Sequence, residues 1–567
     1  MHELPERSDV VVIGGVAAGP KAAATLARRQ PEAIITLFHK EEHLSYAACG
    51  FPLYASGEVG SFEELLKTPY GVLRDAEFFE SSKGFRTITR AEVTRIDRRA
   101  KTVTVRMIET GEVVEHGYDR LVIATGSTPK EPPMPLPKSN RVRPFVRPID
   151  VITFRQHAER GEVDSVAIIG GGFIGIELCE TAKDMWGIEV DLFEKQPQLF
   201  PYMLDPEMAT IVQNSLVREG VRVLTGAQVD KIDLNSDDKP VVYVTGHEPV
   251  SVDYVFLCLG VHPEVTLARE CGLDIGETGG IRVNECLQTS DPDVYAGGDC
   301  IESLHQITGR SIYLPMGSLA NRHGRVIGEM LAGNKVEFPG VVGAFVLRAF
   351  ETNIGGVGLS ERAARDAGLE ARAVWGSFPD KPDYNPEVKT FTLKMVYEDR
   401  TNRLLGVQAV GTGDIARRVD VFSSLLQRGA TLEDLFDFEH GYAPRFAEAL
   451  DPLHHMAGMA AAGLRGTEFV DPGSLPAAVD QGTLVLDVRE TDEAVGEPLP
   501  PQISDKCNEV IRIPLGELKS RLKELDPTKR ILIICRRGSR SYQAAVILEA
   551  AGIESFGILA AGLQAQE

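Results

Sequence analysis

The hydrophobic positions of this chain repeat one arrangement. Apolar runs of strand length, continuous enough for burial on both faces, are each followed by a glycine-rich turn and a segment with helical spacing. Residues 9–13 (DVVVI) run into Gly14, Gly15 and Gly19, and the spacing predicts a helix over 20–29 with Pro20 in its first turn. Residues 164–169 (DSVAII) run likewise into Gly170, Gly172 and Gly175; a helix is predicted over 176–186 and a strand over 190–193, ended by Glu194.

Strand, glycine turn and helix set backbone N–H groups and a helix N-terminus against a pyrophosphate. The second unit has full Gly-x-Gly-x-x-Gly spacing, whereas Val16 stands at the middle glycine of the first. Glu194 follows about twenty residues after its glycines, where a carboxylate bonds a ribose 2′-hydroxyl and repels a 2′-phosphate. NADH is therefore expected, with Lys195 keeping NADPH admissible. The second strand of the first unit, 34–38, ends in His39 and Lys40 instead of an acid, which leaves that ribose contact unassigned. Two later stretches, 118–126 with Thr125 and Gly126, and 289–299 with Gly298 and Asp299, read as strands entering small-residue turns. They complete an expected FAD site in which glycines admit the ligand and Asp299 accepts from a ribityl hydroxyl.

Cys49 lies in residues 45–54 (SYAACGFPLY) with no second cysteine within five residues. Its redox chemistry therefore needs an outside sulfur or a sulfenic acid; the bland alternative is a small buried hydrophobe. A chain of 567 residues has room for roughly four domains. A net charge of −22 argues against a nucleic-acid partner, and no apolar run is long enough to span a membrane. Residues 1–7 lack the apolar core of a signal peptide, and the cysteines show neither CxxC spacing nor regular pairing. No metal centre is expected, and a reducing, cytoplasmic location is.

Small residues over 457–466 read as a linker to an independent α/β unit. There a strand over 530–535 (RILIIC) ends in Cys535, followed by Arg536, Arg537, Gly538 and Arg540, with a helix from about Tyr542. A thiol in a loop of amides at a helix N-terminus, flanked by arginines, favours its anion and would stabilise a persulfide.

One chain with a second dinucleotide unit inserted into the first resembles the pyridine nucleotide–disulfide oxidoreductase family, over residues 9 to about 455. In that family NADH reduces FAD, and the electrons pass to a cysteine in the position of Cys49. The absence of a CxxxxC pair resembles its single-cysteine branch. Residues 14–19 (GGVAAG), without the histidine that NADH oxidases and peroxidases carry there, and residues 45–52 (SYAACGFP) resemble the coenzyme A disulfide reductases. That resemblance implies an obligate homodimer in which Tyr384 and Tyr442 of one subunit serve Cys49 of the other. It also implies a coenzyme A site near Ser45 and Arg28, to which Lys21 could add phosphate attraction. The chain departs from the pattern at Asn385, where a second tyrosine is usual, and at Ala48, where asparagine is common. The Cys-x-x-Gly-x-Arg loop of Cys535 and Arg540 resembles a rhodanese domain, with Cys535 carrying sulfane sulfur.

The implied fold is α/β. Two Rossmann-like domains bind FAD (1–150 and 253–334) and NAD (151–252), an α+β dimerisation domain spans 335–456, and a rhodanese-like domain follows the linker over 467–567. The implied function is FAD-dependent NADH oxidation coupled to reduction of CoA persulfide, polysulfide or CoA disulfide. Two alternatives remain open: an NADH oxidase or peroxidase cycling a cysteine sulfenic acid, and a sulfur carrier or sensor.

Overall fold

Valines and isoleucines in unbroken runs cannot face water on either side, and the sheets they form lie at the centre of their layers. The computed structural model describes residues 6–461, 468–470, 475–480, 482–553 and 555–566. It divides into two compact units, one of residues up to 193 with 228–341, the other of 194–227 with 342 onward.

In the first unit, β1 (Arg7–Ile13) leads to α1 (Ala18–Arg29), β2 (Ile35–Phe38) and the short helix α2 (Phe51–Ser56). Then come β3 (Arg86–Ile88), β4 (Ala91–Asp97), β5 (Thr102–Met107) and β6 (Val113–Ile123). The insertion holds β7 (Val142–Pro144), α3 (Pro148–Glu159), β8 (Ser165–Ile169), α4 (Phe173–Trp186), β9 (Glu189–Glu194) and β10 (Tyr254–Leu257). The chain then returns through β11 (Val294–Ala296) and α5 (Gly317–Leu331).

One sheet runs β3-β2-β1-β6-β5-β4, with β11 also pairing β6. β1 is parallel to both β2 and β6, with Ile13 opposite Phe38 and Ile123, so three strand ends converge where the glycine turn begins. A second parallel sheet contains β7-β10-β8-β9. Both helices after the glycine turns begin earlier than the spacing predicts. α1 starts at Ala18, because Pro20 in a first turn lacks only an N–H that would have no partner there. α4 starts at Phe173 and takes Gly175 inside it. Close packing requires that glycine, since a Cβ on it would stand 2.0 Å from Gly170 O.

In the second unit an antiparallel sheet is built from β12 (Phe345–Ala349), β13 (Thr352–Gly358), β14 (Ala371–Pro379), β15 (Thr390–Glu398) and β16 (Leu404–Gly411), in the order β12-β13-β16-β15-β14. The helix α6 (Pro452–Ala461) enters the stretch expected as a linker. Its alanines are good helix formers, and Met456, Ala457 and Ala460 are buried. The expected linker residues 462–466 lie outside the described residues. A parallel sheet then runs β17-β21-β20-β18-β19, from β17 (Glu468–Val470), β18 (Leu484–Asp487), β19 (Glu509–Arg512), β20 (Ile531–Ile534) and, after α7 (Ser539–Ala550), β21 (Phe556–Leu559).

Lys394 on β15 is 2 % exposed and meets three carboxylates: Glu207, Asp205 at 3.0 Å and Glu361 at 2.8 Å. The carboxylate cluster has the spacing of a cation site, and the ammonium fills it. Lys394→Ala leaves these acids buried without their counter-charge, a loss of about 3–5 kcal/mol. A clearly lowered midpoint in urea unfolding is expected; an unchanged midpoint would show that the acids protonate without cost.

Candidate active site

Gly14 has φ +111°, and a Cβ there would stand 2.0 Å from Ala124 O; one on Gly19 would stand 2.0 Å from Gly14 O. The first turn is thus pressed between β1, β6 and α1, and no side chain caps α1. Its N-terminal amides are positioned for a pyrophosphate. Gly298, at φ +85°, approaches Ala18 of the same helix. Asp299 follows it; burial raises this carboxyl above its ordinary range, and Ser127 Oγ donates to it at 3.4 Å. Gly126 has φ +75°, and the Thr125 hydroxyl donates to Glu264 O at 2.6 Å. Gly14, Gly15, Gly19, Thr125, Gly126, Gly298 and Asp299 therefore belong to one unit and converge at the ends of parallel strands. Glycines at 14 and 19 let the turn close tightly beneath the uncapped N-terminus of α1, with Val16 at the middle position, so these residues fit FAD.

His39, at the position where an acid was expected, is buried and accepts from Gly15 N–H through Nδ1 at 3.2 Å. Burial pushes its pKa down to about 4, so it holds the turn as a neutral ring. In the second turn, Gly170 has φ +116° and its Cβ position is blocked by Cys258 O at 2.2 Å, while Gly172 faces open space. That combination of a tight turn and an open middle glycine fits a second dinucleotide. Glu194 ends β9, buried, and accepts from Gln196 N–H at 2.7 Å.

Cys49 sits on a single 3-10 turn, residues 48–50, that passes directly into α2. Ser45, at φ +46°, ties this segment to the first glycine turn by donating its N–H to Gly15 O at 2.8 Å. The far end of α2 is held by side chains of the inserted domain. Arg155 donates to Tyr54 O (2.9 Å), Val59 O (2.6 Å) and Gly60 O (3.1 Å), and Trp186 Nε1 donates to Ala55 O at 2.9 Å. Thr181 Oγ1 reaches Pro52 O at 3.4 Å, which places Glu177, one turn earlier on α4, toward the cysteine. The residue is open to solvent, but the protein side of its sulfur is desolvated; that burial, then Glu177 and Asp299, raise the Cys49 thiol. Burial, with Glu180 nearby, pushes Glu177 up to about 7. Lys21 and Arg28 are seven residues apart on α1 and share a face; Arg28 is exposed, its guanidinium 3.4 Å from Thr25 Oγ1.

In the second unit the fully buried Cys535 Sγ accepts from Gly538 N–H at 3.1 Å and Ser541 N–H at 3.4 Å. Arg540 forks onto Glu493 at 2.7 and 2.6 Å, and Cys535 adds to the charges that hold it protonated. Arg489, buried with Asp487 in a bidentate pair (3.0 and 2.8 Å), braces the strand end beside it. Tyr384 and Tyr442 are both exposed, and their loops are joined by Asn385 Nδ2 donating to Pro444 O at 2.8 Å. All eight cysteines are free.

Family models match along the chain: Pyridine nucleotide-disulphide oxidoreductase over residues 8–312, its dimerisation domain over 348–454, and Rhodanese-like domain over 471–566. The chain belongs to the pyridine nucleotide-disulphide oxidoreductases. It is 34 % identical over 447 residues to the NAD(P)H coenzyme A polysulfide/persulfide reductase of Pyrococcus horikoshii, covering 79 % of this chain and 97 % of that one. An NADH oxidase of Methanocaldococcus jannaschii is 31 % identical over 444 residues, 78 % of this chain and 96 % of that one. The solved NAD-dependent persulfide reductase from A. fulgidus is 36 % identical with TM-score 0.90, covering 98 % of this chain and all of that one.

This family uses FAD and NAD(P)H, in agreement with both cradles. Sequence reasoning missed Glu177 and Arg155 in this oxidoreductase. Glu177 lies only two residues beyond the last glycine of its motif, a signal that spacing alone could have raised. With the glutamate's charge removed, Glu177→Gln is expected to shift the pH profile of Cys49 alkylation by iodoacetamide to lower pH, because the thiolate no longer faces that anion. An unchanged profile would show that Glu177 does not act on the thiol, leaving burial and Asp299 to raise it.

Proposed function

We propose that this protein is an NADH-dependent flavoprotein that reduces CoA-linked sulfur through Cys49, with Cys535 handling sulfane sulfur. The observation that carries the reading is Cys49 itself: one exposed, unpaired thiol held rigidly between two dinucleotide cradles, in a chain that also builds a Cys535 anion cradle. The names of the Pyrococcus horikoshii and A. fulgidus relatives support it, and both describe persulfide reduction.

When bound, FAD supplies the relay by which a hydride's electron pair from the nicotinamide reaches sulfur. Gly14, Gly15, Gly19, Thr125, Gly126, Gly298 and Asp299 hold that cofactor, and Gly170, Gly172, Gly175 and Glu194 hold the nicotinamide dinucleotide. The chain's own residues account for the sulfur steps. The Cys49 thiolate attacks the S–S bond of CoA disulfide or CoA persulfide; a Cys49–sulfur bond forms as that bond breaks, and the departing thiolate takes a proton. Two electrons and a proton then cleave the Cys49 disulfide or persulfide and restore the thiol. Since the thiol lies above its ordinary range in the protein alone, the thiolate needs the bound cofactors for its stability. Tyr384 and Tyr442 serve as proton donors to the leaving sulfur, from the partner subunit of a homodimer. Lys21 and Arg28 meet CoA phosphates, and Ser45 meets the pantetheine arm. The Cys535 thiolate attacks a terminal sulfur of polysulfide, the neighbouring S–S bond breaks and a polysulfide one sulfur shorter departs. The Cys535 persulfide anion, held by the Gly538 and Ser541 amides with Arg540 close by, then passes that sulfur to CoA thiolate, giving CoA persulfide and restoring the Cys535 thiolate.

Among the described residues no helix is long and apolar enough to cross a membrane; the proposed setting is the cytoplasm. The oxidase reading is disfavoured by residues 14–19, which offer a sulfenic acid no histidine.

Anaerobic NADH oxidation with CoA persulfide, CoA disulfide and polysulfide tests the reading. Cys49→Ser is expected to lose about a thousandfold or more with every acceptor, the cost of removing a covalent nucleophile. Cys535→Ser is expected to affect only turnover that starts from polysulfide. If dioxygen accelerates NADH oxidation while none of the three acceptors does, the oxidase replaces this reading.

A further inference from the structure

The sulfur-carrying loop of the rhodanese domain is tied to the loop that bears Tyr384. Arg537 O accepts from Ser377 N–H on β14 at 3.0 Å. The Arg537 guanidinium forks onto Asp383 at 3.2 and 3.0 Å. Its Nε donates to Gln564 Oε1 at 3.2 Å, and Gln564 Nε2 donates to Thr390 Oγ1, at the start of β15, at 3.0 Å. Apolar packing lies beneath these bonds: Trp375 of β14 is buried against Ala560 and Ala561. A Cβ on Gly538, whose N–H holds the Cys535 sulfur, would stand 3.2 Å from Ala561. Each tie therefore bears on the wall of the Cys535 cradle. On the other side, Asp383 precedes Tyr384, and Asn385 joins that loop to Pro444, two residues beyond Tyr442. Glu448 completes the junction: burial first, then the like charge of Asp383, raise its carboxyl.

We propose that Arg537 and Asp383 are a positioning pair that fixes the sulfur cradle of Cys535 against the tyrosine loops, so that sulfur leaving Cys535 meets its acceptor in a fixed place. Side chains of Arg537 and Asp383 are 24 % and 66 % exposed, so the pair contributes little to stability and its worth is geometric. Orientation of this kind governs transfer to a large acceptor and leaves small diffusible acceptors indifferent. Loading is balanced without further reagents: Cys535 thiolate and thiosulfate give the Cys535 persulfide and sulfite. Transfer to CoA thiolate then gives CoA persulfide and restores Cys535. The proposal rests on the sulfur reading above for its acceptor, and its geometric content stands apart from it.

The test uses the full-length flavoprotein with Asp383→Ala and Asp383→Glu. Asp383→Ala is expected to slow NADH oxidation driven by polysulfide plus CoA about tenfold, while CoA-disulfide reduction and thiosulfate-to-cyanide sulfur transfer stay within about twofold. Asp383→Glu, which keeps the fork, restores the first rate. In amide hydrogen exchange, Asp383→Ala is expected to speed exchange in both 381–389 and 536–541. Equal rates in all three assays with unchanged exchange would overturn the proposal, as would loss of cyanide transfer, which would make Asp383 merely structural. If wild type reduces no CoA-linked sulfur, the function reading fails. Exchange alone then decides the pair: faster exchange in both loops supports it, and faster exchange in one alone overturns it.

Discussion

A lone thiol cannot store an electron pair as an internal disulfide, and this constraint organises the chain. Either a sulfenic acid or a bond to an outside sulfur must complete the cycle. Cys49 is exposed, as a partner from solution requires, yet its turn is not loose. Carbonyls along α2 are held by Arg155, Thr181 and Trp186, so the helix behind the thiol belongs mechanically to the inserted nucleotide domain. Rigid support and open access are what a thiol needs when its partner is a large molecule arriving from outside.

Electrostatics divide the two sulfur sites. Around Cys49 the protein offers burial and the carboxylates of Glu177 and Asp299, all of which oppose a thiolate. Around Cys535 it offers two amide N–H groups and Arg540. The protein side of Cys49 thus opposes an anion, while at Cys535 two backbone N–H groups point at the sulfur.

Local patterns were legible in the sequence where backbone geometry leaves few options. Both glycine turns and the strands before them follow from close approach at Gly14, Gly19, Gly170 and Gly175, which only glycine permits, and the Cys535 loop turns at Gly538, whose φ is +91°. Helix starts were read late because α1 and α4 begin inside the glycine motif, and 457–461 was read as linker although its small residues pack as helix. What stayed hidden depends on partners distant in sequence. Lys394 meets Asp205 and Glu361, Arg155 caps α2, His39 braces Gly15, and Arg537 meets Asp383. No periodicity announces such pairs, because each is fixed by how elements pack and not by local spacing.

The central claim, that Cys49 completes its cycle with an outside sulfur, is tested most directly by mass spectrometry of the oxidised enzyme. After anaerobic treatment with CoA disulfide, peptide mapping should find CoA bound to Cys49 through a disulfide, and NADH should release it. A Cys49 that carries no CoA and is trapped by a sulfenic-acid reagent after exposure to peroxide, with NADH restoring the thiol, would contradict the account.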